Sequence, residues 1–154
     1  MQILDSLIDQ NNLKVHYDYR MPSKQGGLIC DKDVYINPRL SDREQNQWLA
    51  EEIGHYETTV GNIIDTKNLN NKKQEKQARD YGCKLLINLD GLIACWRQDI
   101  EKSEDVADIF NVTVPYLWGA IDMYRRKRGI NFLYKGYRFD LSNGIQIKKE
   151  NVYE

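Results

Sequence analysis

The sequence predicts an α+β protein, mainly helical, with a small antiparallel sheet near the N-terminus, further helices towards the C-terminus and a terminal β-hairpin. Three observations carry that expectation. Ser41-Asp42-Arg43-Glu44 is a capping box, and Trp48, Leu49, Ile53, Tyr56 and Val60 follow it at helical spacing. Short stretches rich in β-branched and aromatic residues, broken by Pro22 and Gly26-Gly27, fill the segment before it. At the other end, Asn143-Gly144 stands between two alternating runs, the strongest short-range hairpin signal.

Taken in order, Leu4, Leu7 and Ile8 predict a short opening helix stopped by Asn11-Asn12. Strands are expected around Val15 to Tyr19, Gly27 to Cys30 and Val34 to Ile36, with Pro38 closing the sheet. The capped helix should end near Gly61-Asn62, and from Asp65 to Lys73 the chain is polar and rich in Asn, which reads as a connector. A second long helix is expected from about Lys73 to Ile87, with Ala78, Tyr81, Leu85 and Leu86 on its apolar side. Shorter helical patterns follow from Gly91 to Ile100, Ser103 to Phe110 and Thr113 to Arg128, the last stopped by Gly129. The tail carries Phe132-Leu133-Tyr134, Tyr137-Arg138-Phe139 and Ile145-Gln146-Ile147.

A chain of 154 residues can build one domain with a core, or a compact domain with a small appendage. Hydrophobic residues at 41% and charged residues at 29% place it among globular chains. A formal charge of −1 gives no reason to expect nucleic acid or a membrane surface as partner. Cys30, Cys83 and Cys95 are odd in number and form no CxxC pair, which points to a reducing compartment. The start, Met1-Gln2-Ile3-Leu4-Asp5, lacks the basic and apolar runs of a signal peptide, and no stretch approaches the length of a membrane span. The expectation is a cytoplasmic protein.

The chemistry is concentrated in Glu51-Glu52-Ile53-Gly54-His55. Residues four apart share a helix face, so Glu51 and His55 can close on one ion while Glu52 points aside towards a bound water. This is the geometry of HExxH, in which the outer residues hold a metal and the inner Glu is the general base, with Glu51 here in place of the first His. Such a site needs a third protein ligand and an open position. Glu75, on the next helix, can supply the ligand if the polar connector lets that helix fold back, which the connector's length permits but does not fix. The competing reading is a solvated face of a charged helix. Two His in the whole chain exclude a His-rich site, Cys83 and Cys95 read as core, and His16 reads as a structural strand residue.

The run Trp48-Leu49-Ala50-Glu51-Glu52-Ile53-Gly54-His55-Tyr56, continuing through Thr58-Thr59-Val60-Gly61, resembles the active-site helix of the ImmA/IrrE-type metallopeptidases. The segment Glu75-Lys76-Gln77-Ala78, continuing to Leu85-Leu86, is similar to that family's following ExxA segment, whose Glu is a metal ligand. Gly27-Leu28 and Ile36-Asn37 fit its small sheet. The likeness spans roughly the first two thirds of the chain, and two motifs at family-like spacing are more specific than either alone. It implies a zincin-like metallopeptidase domain over residues 1–100, with 101–154 a helical and hairpin extension of the same compact unit. Glu52 would be the catalytic base and Glu51, His55 and Glu75 the metal ligands, Glu51 standing where the family has His.

The implied cofactor is one zinc ion, with manganese or iron as competitors because a Glu-His-Glu set is harder than two His and one Glu. Two carboxylates also leave the first shell formally neutral, so bound water should be less acidified and another group must stabilise the oxyanion. Tyr56, Tyr81, Arg79 and His16 are the candidates, and the sequence leaves the choice open. The implied partner is a protein substrate, a regulatory protein such as the repressor of a phage or integrated mobile element. Two rivals stand beside this endopeptidase reading: a non-catalytic relative that binds without cutting, and a helix-turn-helix DNA-binding regulator. The latter rests on the two helices around Val112-Thr113 and on Arg125-Arg126-Lys127-Arg128, although basic residues at a helix C-terminus also complement its dipole.

Overall fold

The computed structural model describes residues 2–60 and 71–150, which form an α+β fold dominated by helices. Two compact units divide at Leu86, residues 1–86 and 87–154. The expected helix stop at Gly61-Asn62 and most of the polar connector lie outside the described residues.

The first unit opens with α1 (Gln2–Gln10), whose Leu4 is buried. Asn12 turns the chain with a φ of 55°, and the side-chain Nδ2 of Asn11 donates to Leu7 O at 2.8 Å and to Glu57 Oε1 at 3.1 Å. Three strands follow: β1 (Lys14–Tyr17), β2 (Gly27–Cys30) and β3 (Asp33–Ile36). Their spatial order is β1-β3-β2, with β1 parallel to β3 and β2 antiparallel to it. The sheet is therefore mixed, where an antiparallel one was expected. The two-residue turn Asp31-Lys32 makes β2 and β3 a local hairpin, and the longer excursion after β1 carries the chain past the place where β3 inserts. Fully buried Asn37 fixes that excursion by donating to Pro22 O at 3.2 Å and Gln25 O at 3.0 Å while accepting from the amide of Arg39.

The capping box forms as expected: the amide of Glu44 donates to Ser41 Oγ at 3.2 Å and starts α2 (Asp42–Val60). The first residues after the connector, Asn71 to Lys73, belong to α3 (Asn71–Leu86) and not to a loop. What binds α2 to α3 is a contact of small residues. A Cβ on Gly54 would collide with the carbonyl oxygen of Ala78, and one on Gly82 would lie 3.0 Å from that of Ala50. Gly54 faces Ala78 and Ala50 faces Gly82, so the helices run antiparallel with their backbones touching.

The second unit holds α4 (Leu89–Arg97), α5 (Ser103–Phe110) and α6 (Val114–Arg128), followed by β4 (Asn131–Tyr134), β5 (Tyr137–Asp140) and β6 (Gln146–Lys149). Asn88 caps α4 and Thr113 caps α6 through their side chains, and Leu117, Ala120 and Ile121 of α6 are fully buried. The terminal hairpin is in fact a three-stranded antiparallel meander, β4-β5-β6. Its tight turn is Lys135-Gly136, with φ of 48° and 83°, and Asn143-Gly144 sits in the longer connection between β5 and β6. Among the described residues no helix is long and apolar enough to cross a membrane.

Because no side chain separates the backbones at Gly54, Gly54→Ala should push α2 off α3 and destabilise the fold by about 1–3 kcal/mol, the usual cost of overpacking. Urea unfolding of parent and variant measures this, and equal midpoints would show that the contact is looser than described.

Candidate functional site

Close helix packing decides which side chains meet. On α2, Glu51 and His55 are one turn apart, as are Glu75 and Arg79 on α3, and the antiparallel register sets the two pairs opposite each other. His55 Nε2 lies 3.3 Å from Glu75 Oε2, and Arg79 Nε donates to Glu51 Oε1 at 3.2 Å. Two of the four expected site residues, His55 and Glu75, thus come together directly, and Glu51 is held by a guanidinium that the sequence reading had considered only as an oxyanion partner.

Glu52 sits at the floor of a cavity of about 640 Å³, lined also by Gly27 and Leu28 of β2, Trp48, His55 and Glu75. Glu51 is not among the lining residues. Strand β2 comes down close over Glu52, since a Cβ on Gly27 would stand 3.0 Å from Glu52 Cγ. Only 5% of Glu52 is exposed. Burial, with the negative charges of Glu51 and Glu75 added to it, pushes its carboxyl from 4.5 up to about 7. Burial also raises Glu51, and the charge and hydrogen bond of Arg79 offset only part of that rise. The two adjacent carboxyls have different environments: one keeps a cationic partner and the other is left to share a proton with solvent near neutrality.

The remaining candidates separate cleanly. Tyr56 lines the cavity and its hydroxyl accepts from Lys32 Nζ at 2.6 Å. His16 stays on the exposed side of its strand, 2.9 Å from Asp33 Oδ1 and stacked on Tyr35. Tyr81, raised by burial and by Glu57, is not in the cavity lining. Cys83 and Cys95 are buried, as expected of core residues. In the second unit, Arg125 bonds Asp122 and donates to Leu141 O at 2.7 Å, while Arg128 lies over the rings of Phe132 and Tyr134. These cations serve the unit's own packing.

The chain matches the peptidase M78 family, described as the IrrE N-terminal-like domain, over residues 4–116. It belongs to that family. No curated protein matches it. Among solved structures it is similar to a chain described as a Mycobacterium tuberculosis transcriptional regulator, with a TM-score of 0.63 and 15% identity over 97% of this chain. That likeness concerns the fold, and this chain spans 48% of the regulator's length.

Zinc is the metal generally associated with the M78 family. An ion bonded at about 2.0–2.2 Å to one nitrogen and one oxygen in a tetrahedron holds them about 3.3–3.5 Å apart, and the His55–Glu75 separation meets that spacing. The third position does not, because Glu51 is turned to Arg79. Among the described residues no three His, Cys, Asp or Glu side chains are grouped so as to hold an ion. The donor set therefore fits at two positions out of the three that a catalytic site uses.

The raised carboxyl of Glu52 has a consequence for stability. Folded protein keeps that proton up to about pH 7, whereas an unfolded Glu loses it near 4.5. The stability that this group contributes is full below 4.5 and is lost as pH rises through 7. Glu52→Gln removes the dependence, so between about pH 4.5 and about pH 8 its unfolding free energy should gain on the parent's by roughly 3 kcal/mol. Urea titrations at several pH values check this, and parallel curves for the two proteins would contradict the buried, uncompensated state of Glu52.

Proposed function

We propose that this M78-family chain is a metal-dependent endopeptidase that cuts an extended segment of a regulatory protein, such as the repressor of a phage or integrated mobile element. The observation that carries the reading is the position of Glu52, a carboxyl poised near neutrality on the floor of a cleft whose rim is a sheet edge. Among the described residues strand β2 pairs with β3 on one side only, and its Leu28 is 46% exposed. A substrate backbone can add to that free edge, its main-chain groups satisfied by β2 and its peptide bond brought over Glu52.

Glu52 then takes a proton from the attacking water and delivers it to the departing amide nitrogen. The hydroxyl of Tyr56, fixed by Lys32, lines the cleft and is a group that can hydrogen-bond the developing oxyanion. General acid–base transfer supplies a factor of about 10²–10⁴ in rate, roughly 3–5 kcal/mol, well short of the roughly 8–23 kcal/mol that enzymes provide. A divalent ion held by His55 and Glu75 would supply Lewis-acid polarisation and a more acidic water, which is why the reading includes one. Zinc is the first choice, with manganese or iron as alternatives. The three cysteines, free of disulfides, suit a cytoplasmic setting.

A second reading, a relative that binds its partner without cutting it, is favoured by one observation: the carboxylate of Glu51 is already engaged by Arg79. The DNA-binding reading draws less support, because Arg125 and Arg128 are engaged within their own unit.

A zinc-loaded full chain incubated with a mixed-sequence peptide library, followed by mass spectrometry, distinguishes the first two. Parent protein should generate new termini, and Glu52→Gln should retain peptides on the protein while cutting them about 10²–10⁴-fold more slowly. Equal cutting by both proteins would remove Glu52 from the reaction, and binding without any new termini in the parent would favour the binding protein.

A further inference from the structure

We propose that Arg79 is an internal counterion that competes with a divalent cation for Glu51, so that the site closes around an ion only when the guanidinium lets go. This rests on the reading of His55 and Glu75 as metal ligands, and adds to it a residue that controls whether the third ligand is available.

The case starts from burial. The Glu51 side chain is 12% exposed and Arg79's is 62% exposed, so the pair consists of a sequestered anion and a cation reaching in from solvent. A buried carboxylate needs a positive partner, and removing that partner leaves an uncompensated charge. Across the α2–α3 contact the partner for Glu51 can come from two places. One is Arg79, observed at 3.2 Å. The other is an ion seated between His55 and Glu75, one helical turn along the same interface, which is the direction from which a third ligand would be recruited.

Both cations cannot be accommodated equally well. Glu51 and Glu75 carry two negative charges, which Arg79 half neutralises. A divalent ion alone brings that set to zero. Ion and guanidinium together leave a net positive charge in a part-buried space, with two cations repelling at short range where screening is weak. The mobile member of the set is Arg79: its exposed side chain can return to water at little cost, whereas Glu51 must stay. The same exchange accounts for an expected three-residue ligand set that is seen as two crossed pairs, His55 with Glu75 and Glu51 with Arg79.

The test is zinc affinity, read on the chelator-treated full chain by competition of Zn²⁺ alone with a chromophoric chelator. Arg79→Gln should bind zinc more tightly than the parent, by about 10- to 100-fold, the range over which groups bonded to metal ligands change affinity. Arg79→Ala should gain similarly, and Arg79→Lys, which keeps the charge, should stay near the parent. In Arg79→Gln/Glu51→Gln the gain should vanish. Equal or weaker zinc binding by Arg79→Gln and Arg79→Ala would overturn the proposal, as would a gain that survives without the Glu51 carboxylate. Failure of the endopeptidase reading would look different: zinc affinities would follow this order while no peptide was cut.

Discussion

Everything in the candidate site depends on how closely α2 and α3 approach. Ala50 and Gly54 on one helix and Ala78 and Gly82 on the other leave no side-chain layer between the backbones. Larger residues there would move α3 outwards by an ångström or more. At that distance Glu75 would no longer reach His55, nor Arg79 reach Glu51. Alanine is the best helix former, whereas the two glycines inside these helices lower intrinsic helix stability. Their value lies in the contact they permit.

That approach also creates the electrostatic problem of the candidate site. Glu51, Glu52 and Glu75 are drawn together in a region where two of them are almost fully buried. Arg79 relieves Glu51 and His55 faces Glu75, which among the described residues leaves Glu52 without a cation of its own. Gly27 lets β2 settle close over it. A carboxyl in that position is a liability for stability and an asset for proton transfer. Perturbed groups in clefts with a specific charged neighbourhood are the ones that tend to be functional.

Much of this was legible in the sequence where the signals are local. The Ser41–Glu44 box, the Ser103 to Phe110 helix and the stop at Gly129 each depend on a few neighbouring residues, and each appears as read. Membership of the M78 family was legible from two motifs and their spacing. Features set by residues distant along the chain were not. The parallel pairing of β1 with β3 depends on where a long excursion returns, and the alternation of apolar residues is the same for either direction. Lys135 at a positive φ gave no turn signal, so attention fell on Asn143-Gly144 and the strand before Lys135 went unpaired. The Glu51–Arg79 pair is the instructive case. Helical spacing places Glu51 and His55 on one face, but which partner each finds is decided by what α3 presents opposite, and that register cannot be read from α2 alone.

The central claim is that Glu52 is held as a buried carboxyl with no cationic partner, ready to exchange a proton near neutrality. The most direct measurement is a ¹³C NMR titration of its side-chain carboxyl in the chelator-treated full chain. The account gives a midpoint at about 7, and a midpoint near the ordinary value of 4.5 would contradict it.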